Sequence, residues 1–421
     1  MSKNKVIPEL RFPEFMNDGE WVEMQLGDSL LRNPEYGINA PAVSFSNKLP
    51  TYLRITDISE DGRFLSNEKV SVAREVTEDN YLSDGDIVLA RTGASVGKSY
   101  KYRNEDGRLV FAGFLIRLKP DSNKLNSDFL FQFLATNQYW KWVSFISARS
   151  GQPGINATEY SSLPVCLPKP KEQQKVASCL SSLDEVIAAH SQKLELLKDH
   201  KKGLMQNLFP QEGEKVPKLR FREFENDGEW VEKILSEVAD YENGKAHEQD
   251  IDETGDFIVV NSKFISTDGE IAKYSKEAYC IAEKGDILMV LSDVPNGRAI
   301  AKCFYVNETN KYTVNQRICK LTPFDCDNLF LYFIMNRNPY FLSFDDGVKQ
   351  TNLRNDDVQS FSFLIPIDKK EQQKIASCLS SLDDLIAAQA EKIEQLKLHK
   401  KGLMQGLFPK MSNVKTGHAL S

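Results

Sequence analysis

The chain has few of the features that mark catalysis, secretion or membrane insertion. Among its 421 residues no run of 18 apolar residues occurs, so no segment reads as a membrane-spanning helix. The N-terminus, MSKNKVIPELRF, has no apolar core of the kind a secretory signal needs. The seven cysteines are scattered, without a C-x-x-C pair or histidines at ligand spacing. This argues for a reduced, cytoplasmic location and against a zinc site. Five histidines form no Ser/His/Asp or Cys/His grouping, and three of them (His190, His200, His399) fall in long helical stretches. No catalytic residue and no metal ligand is therefore expected. Nor is there an excess of basic charge: 53 Lys and Arg stand against 60 Asp and Glu. Net acidity alone does not exclude nucleic acid, because local patches decide phosphate binding.

What the chain does have is repetition. HKKGLMQ occurs at 200–206 and again at 399–405. Extended outward, residues 171–211 and 370–410 agree at 30 of 41 positions. A second match pairs LRFPEFMNDGEWVE (10–23) with LRFREFENDGEWVE (219–232). Weaker echoes lie between: GDIVLA (85–90) with GDILMV (285–290), FLIRLKP (114–120) with RICKLTP (317–323), and SDFLFQFLATNQYW (127–140) with DNLFLYFIMNRNPY (327–340). One unit of about 200 residues is written twice, a duplication and not a solenoid of short repeats.

The best-matched segment carries apolar residues at alternating steps of four and three. In the first copy these are Val176, Leu180, Leu183, Ile187, Leu194 and Leu197. In the second they are Ile375, Leu379, Leu382, Ile386, Ile393 and Leu396. A strict 3.5-residue repeat predicts a coiled-coil seam along helices of ~35 residues, ~50 Å long. Prolines 168, 170 and 366 mark the starts, and prolines 210 and 409 the stops. The seam also holds His190, Gln389, Lys201 and Lys400; the lysines read either as register-setting residues or as side chains snorkelling at a frayed end. If the helices pair with each other, connectivity makes them antiparallel.

Between these segments lie two diverged middles of ~150 residues. Strands are expected at 51–58, 86–91 and 109–119, then a helix over 127–147 with Phe129, Phe133, Trp140 and Val143 on its buried face. The second middle repeats the order at 257–265, 286–292 and 302–306, with a helix near 327–338. The fold class that follows is α+β. It has two mixed α/β domains (1–168 and 211–367), two long antiparallel coiled-coil helices (169–210 and 368–410), internal pseudo-twofold symmetry, and a tail (411–421) expected to be disordered.

The densest basic segment is RTGASVGKSYKYR (91–103), which contains no acid. Basic and planar side chains on a loop after a strand suit phosphate and base-edge contacts. The candidate DNA contacts are Arg91, Thr92, Lys98, Ser99, Tyr100, Lys101 and Arg103. Arg149 and Gln152 come from a neighbouring loop, and the second middle offers Arg298, Lys302, Lys349, Gln350 and Arg354. A solvated basic turn would carry the same residues, so the segment alone leaves both readings open. TGASVGKS imitates a phosphate-binding loop, but Thr92 stands where the first glycine belongs. NPEY (33–36) lacks the second proline of an adenine-methyltransferase motif and reads as a turn.

Taken together, LRFPEF…W, GDIVLARTGASVGK, the run SGQPGINATEYSSLPVCLPKPKEQQKVASCLSSLDEVI and their second copies resemble the specificity subunit of type I restriction–modification systems. The resemblance covers nearly the whole chain apart from 411–421. It implies two target recognition domains, each reading one half of a split double-stranded DNA sequence. The helices would serve as a spacer and as docking surfaces for two methyltransferase subunits, with restriction/translocase subunits joining the complex. S-adenosylmethionine, ATP and Mg would sit on those partners, and none in this chain. A two-domain protein–protein scaffold on a coiled-coil spacer, without DNA binding, is the alternative.

Overall fold

The computed structural model describes residues 6–148, 153–294 and 297–410. The chain forms two compact units, Met1–Gln192 with Ala390–Ser421, and Lys193–Gln389. The expected tail, 411–421, lies outside the described residues.

In the first unit, one antiparallel sheet orders strands Glu35–Tyr36, Leu115–Leu118, Ile87–Ala90 and Ser99–Lys101. A second sheet orders Ala42–Ser44, Val70–Val72, Thr51–Leu53 and Leu109–Phe111, the last two running parallel. The second unit repeats the first sheet strand for strand, as Ala239–Asn243, Ile318–Pro323, Ile287–Val290 and Cys303–Tyr305. In its other sheet the parallel pair, Phe257–Val260 with Tyr312–Val314, is central and not at an edge. Each unit also has a two-stranded ribbon, Val22–Gln25 with Pro164–Leu167 and Val231–Ile234 with Ser362–Ile365.

The duplicated GDI segments enter a strand buried on both faces. Ile87 and Leu89 join the core with the helices, whereas Val88 and Ala90 face the second sheet beside Leu53 and Tyr100. Ile287 and Met289 against Leu288 and Val290 divide in the same way. The period-2 alternation of a strand thus serves two cores at once, which is why the sequence reads there as an unbroken apolar run.

Several expected elements are shorter than the sequence implied; the strand at 257–265, for one, ends at Val260 and a helix, Ser262–Ser266, follows. The strand at 51–58 ends at Leu53, where a 3-10 turn Ile55–Asp57 begins. The strand at 109–119 splits into Leu109–Phe111 and Leu115–Leu118. The helix over 127–147 is two helices, Ser127–Phe133 and Asn137–Ser147, because the Thr136 hydroxyl accepts from the Tyr139 N–H and starts a new one. This turns Trp140 outward, 42% exposed, while Phe129, Phe133 and Val143 are buried as expected.

The long helices are Pro170–Asn207 and Lys369–Leu407, 38 and 39 residues. None of the twelve seam residues is exposed, whereas the off-seam residues Leu196, Leu385 and Leu398 are more than half exposed. Within the first unit, Val176 and Leu180 share a core with Met404, Leu407 and Phe408. Lys400 Nζ meets the Asp184 carboxylate at 2.6 Å. Within the second unit, Ile375 and Leu379 share a core with Leu208, and Lys201 meets Asp383 at 2.5 Å. In each unit the register is antiparallel. The two lysines therefore do not snorkel at a frayed end: each is held by the aspartate of the duplicated SSLD segment.

The other well-matched segments also meet. Arg11 grips Glu172 through Nε and Nη2 at 2.8 and 2.7 Å, and Arg220 grips Glu371 at 2.8 and 2.8 Å. Lys175 lies over Phe12 and near Glu14, and Lys374 over Phe221 and near Glu223. Gln173 accepts from the Asn126 N–H and Gln372 from the Asp327 N–H, both at 2.8 Å, at the residues that cap the following helices. The repeated LRF and EQQK segments are thus one repeated clasp between the opening of each unit and its long helix.

Candidate nucleic-acid interface

Two loops meet at the end of the doubly buried strand in each unit. In the first, the Ile155 N–H donates to the Arg91 carbonyl at 2.9 Å, the Gly93 N–H donates to the Pro153 carbonyl at 3.0 Å, and Thr92 pairs with Gly154. In the second, the Leu353 N–H donates to the Leu291 carbonyl at 2.8 Å, and Ser292–Asp293 pairs with Thr351–Asn352. The neighbourhood of 91–98 with the segment after Gln152, and of 291–302 with 349–354, is therefore built by the same backbone hydrogen bond in both copies. Arg149 and Gln152 lie outside the described residues.

The first loop turns through a 3-10 turn, Gly93–Ser95, and re-enters a strand, Ser99–Lys101. A phosphate-binding loop would open a helix, so the likeness of TGASVGKS ends here. Gly97 has φ +87°, and a Cβ there would sit 2.8 Å from Val143 Cγ1. Its glycine is required by the protein's own interior.

The candidate side chains divide sharply. Tyr100 is 0% exposed, and its hydroxyl donates to Asp106 at 2.6 Å. Burial raises its pKa far above the usual phenol range. Tyr102 is buried as well. The expectation that Tyr100 offers its ring to DNA is corrected by the alternation of its strand, which points it into the core. Lys98 and Lys101 sit on the same strand and its approach, but carboxylates from elsewhere reach them, Glu60 at 2.7 Å and Asp128 at 2.5 Å. The segment lacks acid; its surroundings do not. Ser99 is half-buried in the strand, and Arg103 lies 5.9 Å from the Phe131 ring centre.

Arg91 differs from these. Its guanidinium lies 4.8 Å from the ring centre of Tyr36, its Nε is buried without an acceptor, and among the described residues it forms no ion pair. The Tyr36 hydroxyl is fixed by accepting from the Ala157 N–H at 3.1 Å. An arginine stacked on an aromatic ring keeps its charge while its fork is held in one plane, the arrangement suited to two parallel hydrogen bonds. Tyr36 was not among the residues singled out from the sequence. It stands 55 residues from Arg91, and only the pairing of strands Glu35–Tyr36 and Leu115–Leu118 brings it close.

In the second unit, Lys302 pairs with Asp268 at 2.7 Å, while Arg298, Lys349 and Arg354 are exposed. The Gln350 amide donates to Ser292 Oγ at 2.8 Å, tying the two loops together. The loop is shaped by Asp293, whose carboxylate accepts from the N–H groups of Val294, Ala299 and Ile300. The acid in SDVPNGR is thus a scaffold for the turn.

No group of three or more metal-ligating side chains occurs among the described residues. No described helix is long and apolar enough to cross a membrane. All seven cysteines are free, and burial pushes the Cys319 and Cys326 thiols up to about 12.

Comparison with known proteins gives a consistent picture. The family model of the type I restriction modification DNA specificity domain matches twice, at residues 20–199 and 227–398. A putative type I restriction enzyme MjaX specificity subunit from Methanocaldococcus jannaschii is 25% identical over 350 residues, 79% of each chain. The MjaVIII specificity subunit of the same organism is 23% identical over 435 residues, covering 96% of this chain and 95% of that one. The fold is similar to that of a type I restriction–modification S subunit from M. genitalium, with a TM-score of 0.61 and 16% identity, covering 96% of this chain and all of that one. Two matches to the family model, one on each copy of the repeat, together span most of the sequence, and the chain belongs to the type I restriction–modification specificity subunits.

Proposed function

We propose that the chain is the sequence-reading subunit of a type I restriction–modification complex and recognises a bipartite double-stranded DNA sequence. The observation that carries this reading is the paired-loop site, built by one backbone hydrogen bond in both units and carrying cations that form no ion pair among the described residues, Arg91 in the first unit and Arg298, Lys349 and Arg354 in the second. Each unit reads one half-site. The shared helices act as an antiparallel coiled-coil spacer that sets the gap, and they dock two methyltransferase subunits, with restriction/translocase subunits joining the assembly. In this reading the chain is non-catalytic and cytoplasmic. S-adenosylmethionine, ATP and Mg belong to the partners.

Arg91 is the side chain best suited to a base edge in the first unit, since Arg to guanine is the commonest specific contact in the major groove. Arg91→Gln is expected to weaken specific duplex binding by about 1–3 kcal/mol and to relax preference at one base of one half-site. Competition binding against single-base variants of the target checks this. Unchanged affinity and unchanged base preference would remove Arg91 from the interface. Duplex binding by the wild-type chain that does not weaken with salt would favour the protein–protein scaffold instead.

A further inference from the structure

The two copies do not place an arginine on the same strand beside the paired loops. In the first unit the Arg91 N–H donates to the carbonyl of Phe114; in the second the Leu291 N–H donates to the carbonyl of Arg317, both at 3.0 Å. The strand registers agree, with Ala90 opposite Leu115 and Val290 opposite Ile318. Arg91 therefore corresponds to Leu291, and Phe114 to Arg317. Phe114 is 60% exposed and Leu291 is 7% exposed. Each unit thus has one arginine and one apolar residue at this pair of positions, with the two exchanged, and the apolar one is exposed in the first unit and buried in the second. The arginine thus stands on the neighbouring strand, whose backbone is one strand spacing away, about 4.8 Å.

Arg317 lines an open cleft of about 670 Å³. Lys263 and Lys273 line the same cleft, with Asn261 and Asn315 beside them. Lys263, Lys273 and Arg317 are all exposed, and none forms an ion pair among the described residues. Glu248 is the one acid lining the cleft among the described residues, and the Gln316 amide donates to it at 3.2 Å. The contrast with Lys302, neutralised by Asp268, is plain.

We infer that this cleft, centred on Arg317 with Lys263 and Lys273, holds the DNA backbone of the half-site read by the second unit. The inference rests on the DNA-reading function proposed above and adds a site that neither the 298–302 nor the 349–354 segment contains. Three unpaired cations at a concave surface suit successive phosphates.

The test is the salt dependence of target-duplex binding by the full chain, wild type against the triple variant Arg317→Gln, Lys263→Gln, Lys273→Gln. Each phosphate that is no longer neutralised lowers the slope of log affinity against log salt by about 1, so the slope of the triple variant is expected to fall by about 3. Lys311→Gln, at a lysine paired with Glu308 and outside both the cleft and the two loops, is expected to leave the slope unchanged. All three cleft cations are exposed, so folding should be retained, and Arg317→Gln alone, with an expected fall of about 1, guards against a misfolded triple variant. A salt-dependent wild type beside variants of equal slope overturns this inference and leaves the proposed function standing. A wild type without salt-dependent duplex binding overturns both.

Discussion

Replacing Glu172 by alanine is expected to destabilise the first unit by about 3–5 kcal/mol, the usual cost when a buried ion pair is deprived of one partner. The Arg11 and Glu172 side chains are 5% and 1% exposed, so removing the carboxylate strands a guanidinium away from water. The indole Nε1 of Trp21 also donates to Glu172, at 3.2 Å, and would be left without its acceptor. The second unit supplies the comparison. Glu371→Ala strands Arg220, whose side chain is 7% exposed, but Trp230 Nε1 has no hydrogen-bond partner to lose among the described residues. The first substitution should therefore be the more damaging, by about 1 kcal/mol or more. The double change Arg220→Met, Glu371→Leu should recover most of the stability, since an apolar pair of similar volume avoids the stranded charge. Urea denaturation of the full chain, with hydrogen exchange to assign each transition to a unit, decides it. Losses below about 1 kcal/mol for both single variants would mean that the clasp is not a structural tie.

Leu180→Ala and Leu379→Ala should each cost about 2–5 kcal/mol, because both leucines are fully buried and alanine leaves a cavity beside helix and domain core. Leu398→Ala, on the second long helix but 67% exposed, should change stability by no more than about 0.5 kcal/mol. All three are leucines on the long helices. Composition cannot tell them apart, and the alternation of four and three does. Equal effects at the three positions, measured by thermal and urea unfolding, would contradict the seam.

The parts of the fold read most directly from the sequence were those governed by short-range periodicity and by the repeat. The seam is one: every residue at the 3.5-residue spacing is sheltered. The strand expected at 86–91 is another, found at Ile87–Ala90, because Gly-Asp followed by four apolar residues leaves little choice. Elements broken by a single polar atom were read too long. Thr136 stops one helix and starts the next through its own hydroxyl, a local event that the apolar pattern over 127–147 conceals.

The candidate site was legible as loops and less so as side chains. A segment without acid reads as free positive charge, but neutralisation comes from residues far along the chain. Glu60 stands 38 residues from Lys98, and Asp128 stands 27 residues from Lys101. Tyr100 reads as a loop aromatic from composition, but it lies in the strand Ser99–Lys101, whose alternation turns it inward. Tyr36 and Arg317 went unnoticed for the opposite reason: neither lies in a basic or glycine-rich run. The repeat did hold a usable signal. Aligning GDIVLAR with GDILMVL places Arg91 against Leu291, and the absence of arginine there invites a search of the neighbouring strand.

The most direct measurement is the methylation pattern set by the chain together with the methyltransferase subunits proposed to dock on it, compared with that of a variant carrying seven extra residues in both long helices. Seven residues preserve the 3.5-residue seam and add about 10 Å of helix, close to three base pairs. The expected result is two short specific sequences separated by a fixed gap, both unchanged in the variant, with the gap wider by about three base pairs. One contiguous motif, or the same gap in both proteins, would contradict a two-part reader on a helical spacer.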